Sequence, residues 1–289
     1  MIYCLIKFGY AEDKEKDQIE DLADSYLSSL LQNWQIYDDY YLTWLNNVLT
    51  AHVFLARPDS HSFKYHSEWG KKSLSRITEY FQSEPEWNIQ DDDVKKCHYN
   101  WKSAKFLYVR THAFDRCCVI FRGNDGHPVP PYLIPITDEE RAYLFSWSRS
   151  YYYHDHIWLD SGELEIQAYK QLADPNSELM RSGRNLSASI EKATGLPTYC
   201  YLMRYWGRKK GENTRRCPLC GGEWSTGIDP DGKFKFWEFH FRCDNCRIVS
   251  HVADSYDDER HARIGEYKMK RSKTEQNAPV DARTSRGLA

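Results

Sequence analysis

Cys217-Pro-Leu-Cys220 and Cys243-Asp-Asn-Cys246 constrain this chain more than any other feature, as two Cys-x-x-Cys knuckles separated by 22 residues. Each tight turn aims two thiolates at one point, and two such turns complete a tetrahedral Cys₄ shell of the kind that holds Zn²⁺. With all four positions filled by protein there is no place for water or substrate, so the expected ion is a structural staple rather than a catalytic centre. Between the knuckles, Asp229-Pro-Asp-Gly232 predicts a tight turn, and the aromatic run from Lys233 to Arg242 predicts a strand leading into the second knuckle. The pattern is that of a zinc ribbon: knuckle, hairpin, knuckle. Four unrelated buried cysteines would not call for Gly221-Gly222 after the first pair or a polar turn inside the second.

The rest of the chain has the composition of a globular protein. Its 289 residues suffice for a sizeable core in one large domain or two smaller ones, and 41% apolar with 28% charged residues excludes wholesale disorder. The net charge of −3 gives no global pull toward nucleic acid, so any such attraction must come from local patches. Twenty-one Tyr and ten Trp imply either aromatic-heavy packing or an exposed stacking surface. An odd count of nine cysteines, four of them committed to one metal site, suits a reducing compartment. The first nine residues predict a strand and lack the basic start and cleavage site of a signal peptide, and no apolar run is long enough for a bilayer; a cytoplasmic location is expected.

Along the chain, Lys16 to Trp34 carries apolar residues at helical spacing, and Tyr40 to Ala56 predicts a hairpin about Asn46-Asn47. A second helix is expected from Trp69 to Phe81. Strand, helix, strand, strand, helix implies helices on one face of a mainly antiparallel sheet, with a ferredoxin-like arrangement as one candidate. Glu84 to Trp101 is polar and aperiodic and predicts a connection before strands at Phe106 to Thr111 and Cys117 to Arg122. Prolines 128, 130, 131 and 135 impose an extended edge segment. Thr137 and Glu140 form a capping-box signal for a helix toward Tyr151, and further helices are expected at Glu163 to Ala173 and Ser177 to Thr194, then a strand at Thr198 to Trp206. The fold class expected is α+β: an N-terminal domain over 1–100, a strand and helix region over 101–206, the ribbon over 207–256, and a basic, disordered tail over 257–289.

Other constellations are less specific. Arg208, Lys209, Lys210, Arg215 and Arg216 crowd the approach to the first knuckle, and beside them Trp224 and Trp237 offer aromatic faces, a combination able to hold phosphates and stack bases. His154, His156, Asp160, Glu163 and Glu165 collect metal-binding and proton-moving groups, as in a metal-dependent hydrolase. However, two histidines at i, i+2 share a face only in a strand, so no catalytic residue is assigned. Cys97, His98, Cys117 and Cys118 lack knuckle spacing, and free buried cysteines explain them better than a second metal site. No phosphate loop or dinucleotide fingerprint is present.

Trp158-Leu-Asp-Ser-Gly-Glu-Leu-Glu165, Arg181-Ser-Gly-Arg184, Thr194-Gly-Leu-Pro-Thr-Tyr-Cys-Tyr-Leu202 and Cys217-Pro-Leu-Cys-Gly-Gly222, in that order, give the chain a familiar look. It resembles a bacterial zinc-ribbon-containing family of unknown function whose suspected ligand is nucleic acid. The resemblance runs from about Val129 to Ser250 and more faintly over the N-terminal half. It implies that Cys217, Cys220, Cys243 and Cys246 are the zinc ligands, in agreement with their spacing. The family tends to carry spaced cysteine pairs before the proline-rich segment; Cys97-His98 and Cys117-Cys118 stand there instead, so a second site looks degraded.

The leading expectation is therefore a non-enzymatic zinc-ribbon protein that binds nucleic acid through the ribbon and its basic, aromatic flank. The alternative is a protein-binding inhibitor, such as an immunity protein that neutralises a toxin, in which Asp91 to Asp93 or Asp257 to Glu259 imitate phosphates against a basic partner. The oligomeric state is not legible.

Overall fold

Alternation along the first strand sets the N-terminal layer: Ile2, Cys4, Ile6 and Phe8 point inward while Tyr3, Leu5 and Lys7 face the other way. The computed structural model describes residues 2–90, 100–114 and 118–268. Its first elements are β1 (Ile2–Tyr10), α1 (Lys16–Gln32), β2 (Ile36–Leu45), β3 (Val48–Leu55), α2 (Glu68–Phe81) and β4 (Glu86–Ile89). The sheet order is β2-β3-β1-β4, with every neighbouring pair antiparallel. This is the ferredoxin-like split βαβ arrangement held as a candidate from the sequence. Asn46 and Asn47 both adopt positive φ (51° and 58°), the backbone of a two-residue hairpin turn that asparagine tolerates. Ile19, Tyr26, Leu27 and Leu30 of α1, with Leu74 and Ile77 of α2, close over the inward face of the sheet.

β4 lies where a connection was expected. It is four residues long and paired on one side only, with Lys7 opposite Glu86 and Cys4 opposite Ile89. Its Glu-Trp-Asn-Ile alternation is too short to stand out within a polar stretch.

The second sheet is built from β5 (Leu107–Val109), β6 (Ile120–Arg122), β7 (Thr198–Tyr201), β8 (Phe241–Cys243) and β9 (Ile248–Ser250), in the order β6-β5-β7-β9-β8. β7 is parallel to both β5 and β9, and the two outer pairs are antiparallel. Between β6 and β7 run α3 (Asp138–Asp160), α4 (Glu165–Ala173) and α5 (Glu178–Thr194). The Thr137 and Glu140 capping box is formed in both directions, and α5 ends at Gly195 in the left-handed conformation. Together these elements bear out the α+β class. Before α3 the prolines make one bridge, Phe121 to Pro128, and then a single 3₁₀ turn over Pro131–Leu133.

Two sequence expectations need correction here. α3 continues past Tyr151 to Asp160, so His154 and His156 sit on this helix, where i, i+2 do not share a face, rather than at a junction between helices. The run from Lys233 to Arg242 is a strand only at its end: Phe236 and Phe239 curl over Tyr108, Tyr199 and Tyr201 on the face of the second sheet. Pairing between the knuckles is reduced to one bridge, Ser225 to Phe241, flanked by the bonds Thr226 N–H to His240 O (2.9 Å) and Arg242 N–H to Trp224 O (2.7 Å).

Residues 257–268, within the segment read as a tail, are folded: His261–Arg263 forms a 3₁₀ turn and Ala262 is buried. The rest of that segment, and with it Lys270 to Arg286, lies outside the described residues.

Candidate metal centre and its surroundings

Each knuckle is closed by its own backbone. In the first, Gly221 donates to the Cys217 carbonyl (2.8 Å), and Cys217 donates to the Gly222 carbonyl (2.9 Å). Gly221 has φ +72°, and a Cβ there would collide with the Tyr267 ring, so only glycine fits both the turn and its cover. The second knuckle links β8 to β9: Cys243 ends one strand, and Arg247, at φ +51°, turns the chain into the other. The Arg247 carbonyl then accepts from Cys200 N–H of β7 (2.9 Å), so the knuckle is anchored to the sheet.

The four Sγ atoms of Cys217, Cys220, Cys243 and Cys246 lie within 4.8 Å of one another. Cys220 and Cys243 are 3.7 Å apart, which matches the edge of about 3.8 Å of a tetrahedron with ~2.3 Å metal–sulfur bonds. Cys217 and Cys243 are buried, Cys246 is half-buried and Cys220 is exposed. The Gly222 N–H reaches the Cys220 sulfur and pushes that thiol down to about 7. Burial pushes Cys217 up to about 12 and raises Cys246 as well. Cys217 and Cys246 resist ionisation in this way, and a cation at the centre of the group would relieve them. The Cys₄ group is positioned to hold a metal ion.

Beside it, Arg215 and Trp224 depart from expectation. Arg215 is 8% exposed and Trp224 only 2%. The Arg215 guanidinium stacks against Trp224 and Phe241 (4.6 and 4.2 Å to the ring centroids) and donates to Ser250 Oγ (2.7 Å) and the His251 carbonyl (2.8 Å). Trp224 in turn donates its indole N–H to the Arg215 carbonyl (2.8 Å). Both are therefore interior residues that join the ribbon to β9, and burial removes them from any phosphate-holding or base-stacking surface. Glu212 makes this possible, 3.3 Å from Arg215 and bonded twice to Arg204 (2.9 and 2.7 Å). Arg204 also donates to the carbonyls of Ala262 (2.6 Å) and Ile264 (3.1 Å), which ties the segment around the His261–Arg263 turn down.

The remaining cations are outside. Arg208 pairs with Glu266. Lys209, Lys210 and Arg216 are exposed and make no ion pair among the described residues. Arg208, Lys209, Lys210 and Arg263, with Glu259 and Glu266, line a shallow depression. Trp237 is half-buried, packed on Gly126 with Lys235 Nζ 5.3 Å from its ring centroid.

The hydrolase-like group is not brought together. His154 bonds its own helix at the Ser150 carbonyl (2.7 Å), and His156 lies 3.5 Å from Asp160, one turn along α3. Cys118 is buried and donates to the carbonyls of Ile120 and Val129, as a core cysteine does. Cys97, His98, Cys117 and Asp91 to Asp93 lie outside the described residues. Of the other acidic group, Asp258 pairs with Arg260, and Glu259 accepts from Lys209 N–H (2.8 Å).

Three features escaped the sequence. Asp155 is buried on α3 and accepts from Ala113 N–H (2.6 Å). His240 and His251 face each other in the core, Nδ1 to Nδ1 at 3.0 Å. A cleft beside Trp34 gathers Phe145, Arg149, Tyr152 and Tyr153, whose spacing on one helical face was legible had α3 been extended to Asp160.

Three family models match separate stretches, each described as a domain of unknown function: DUF8589 over residues 1–91, DUF2310 over 101–203 and DUF8594 over 207–256. No solved structure matches the chain. Two uncharacterised proteins of Haemophilus influenzae are similar to it. One is 35% identical over 153 residues, covering 52% of this chain and 57% of that protein; the other is 34% identical over 156 residues, covering 53% and 74%. The chain thus spans little more than half of the first relative and about three quarters of the second. At that identity and coverage, it belongs to the bacterial family of the second of these uncharacterised proteins.

Proposed function

We propose that the Cys₄ group holds one Zn²⁺ as a structural ion, and that the chain is a non-enzymatic binding module whose ligand is nucleic acid. Four thiolates in tetrahedral reach, with no open position, suit zinc held for folding rather than for chemistry. The observation that carries the binding reading is the depression lined by Arg208, Lys209, Lys210 and Arg263. Glu259 and Glu266 share its lining, but the ammonium groups of Lys209 and Lys210 make no ion pair among the described residues and stand on a loop fixed from beneath by Arg204 and Glu212. Arg216 adds a further exposed cation. Cations held on a rigid support and left unpaired favour phosphate, because each contact releases condensed counterions.

The test is retention of single- and double-stranded nucleic acid on the purified, zinc-loaded chain as salt is raised. Binding is expected to weaken steeply with salt, and Lys209→Glu with Lys210→Glu should abolish it while the thermal melt stays in place. Binding unchanged by those substitutions would remove this surface from the reading. A single stoichiometric protein partner, in material free of nucleic acid, would replace it with the inhibitor reading.

A further inference from the structure

Between the end of α1 and one face of α3 lies a cleft of about 260 Å³, none of whose lining residues belongs to the ribbon. Its walls are aromatic. Trp34 and Phe145 meet edge to face (centroids 5.7 Å apart, planes at 77°), and Tyr152 and Tyr153 do the same (5.7 Å, 72°). Phe145, Arg149, Tyr152 and Tyr153 stand at i, i+4, i+7 and i+8, so α3 presents them together.

Trp34 is placed there against its own backbone preference. It closes α1 in a Schellman motif, with Gln35 N–H to Leu30 O (2.9 Å) and Trp34 N–H to Leu31 O (3.0 Å), and it takes φ +64°. Glycine is the usual residue at that position, because a left-handed backbone crowds a bulky side chain. The tryptophan is 4% exposed, and its indole N–H has no acceptor among the described residues. A buried donor left unmade is costly, and an acceptor atom on a ligand would satisfy it once the side chains covering the indole N–H shift aside. Arg149, exposed on the same face, lies 5.8 and 5.9 Å from the ring centroids of Phe145 and Tyr153 and donates to the Tyr153 hydroxyl (3.0 Å). Asp39 also lines the cleft, but no carboxylate is in ion-pair contact with Arg149 among the described residues, so the guanidinium is available to an anion on its side of the cleft.

We propose that this cleft binds a mononucleotide unit. The base stacks against the aromatic walls, a ring heteroatom or carbonyl of the base accepts from Trp34 Nε1, and the phosphate sits on Arg149. A planar ring, an acceptor on its edge and an anionic group are the three features the cleft calls for, and a nucleotide carries all three. The nucleotide comes either free or as the 5′-phosphorylated end of a single strand. This site shares no residue with the basic depression beside the ribbon and stands or falls without it.

Adenosine monophosphate and a 5′-phosphorylated adenine trinucleotide are titrated in parallel onto the full chain, with binding read by calorimetry. One-to-one saturable binding is expected, weakened about tenfold or more by Arg149→Met, which lies at the surface and spares the fold. Trp34→Phe keeps a ring in place and removes the N–H, and should weaken binding about fivefold. Equal affinity for the two probes identifies a free nucleotide as the ligand. A tighter trinucleotide with the same losses in both variants identifies a strand end. The proposal is overturned if neither probe saturates by about 1 mM, or if binding is indifferent to both substitutions. Trinucleotide binding lost only on reversing Lys209 and Lys210 would overturn it too, while leaving the ribbon surface as the nucleic-acid site.

Discussion

Glu212 answers two guanidinium groups inside the fold, Arg204 through paired hydrogen bonds and Arg215 across 3.3 Å. Glu212→Gln would leave Arg215 buried without its counterion and Arg204 with only Glu266, at 3.5 Å, and is expected to cost about 3–5 kcal/mol, read as a shift in the denaturation midpoint. Burial pulls the Glu212 pKa upward, but the hydrogen bonds and charge of Arg204 and the charge of Arg215 outweigh it and hold the carboxylate below its ordinary value. Its contribution is thus present above the unfolded pKa and is lost as pH falls through the lower, folded one. His251 acts in the same direction by a different route. Its Nε2–H donates to the Phe236 carbonyl (2.9 Å), which leaves Nδ1 as acceptor for His240. Burial, then the neighbouring His240, push it down to about 4. Unfolded chains therefore take up this proton first, and stability should decline as pH drops from about 6.5 toward 4 and level off below. His251→Asn keeps an acceptor near the Nδ1 position for His240 but gives up both the bond to Phe236 and the titration, so its denaturation midpoints should be lower overall yet fall less steeply between pH 7 and pH 5.

At the scale of elements, the metal knuckle and the strand after it are one unit. β9 begins two residues past Cys246 and pairs with β7 as well as β8. Removing the metal with a chelator, or substituting Cys243→Ser, is expected to lower the melting temperature and raise amide exchange at Ile248–Ser250 and also at Thr198–Tyr201. Unchanged exchange in β7 would confine the ion's role to the ribbon. Much of this layout was legible beforehand: β1, α1, the Asn46-Asn47 hairpin and α2 announce themselves by period and turn chemistry, and the knuckles by spacing alone. β4 was not, because four residues with a single inward side chain, Trp87, give too short an alternation to read. The aromatic run after Lys233 misled for the opposite reason, since its rings satisfy themselves on Tyr108 and Tyr201 without strand geometry. Within the candidate surface, Lys209 and Lys210 could be recognised as solvent-facing cations. Arg215 could not be told from them, because its fate depends on the Trp224 and Phe241 rings brought to it by pairing across the ribbon.

Taken as a whole, the molecule has two sheets, each with its own core, and the larger core reaches across both neighbours. The larger core draws Trp34, Tyr37 and Ala56 from the N-terminal layer, the inner faces of α3 and α5, and Cys217, Trp224 and Phe241 from the ribbon. A fragment of residues 100–206 lacks both neighbours and should fail to give a cooperative melt, whereas residues 2–268 should melt cooperatively in the presence of zinc; circular dichroism distinguishes the two. The parallel pairing of β7 with β9 also orders events during synthesis. A ribosome has made everything through α5 and β7 before the second knuckle exists, and until then β7 exposes an unpaired edge, a template for association with other chains. With zinc as the proposed ion, its scarcity would act at that moment, on nascent protein, and its mark in the cell would be aggregation of newly made chains rather than slow decay of old ones.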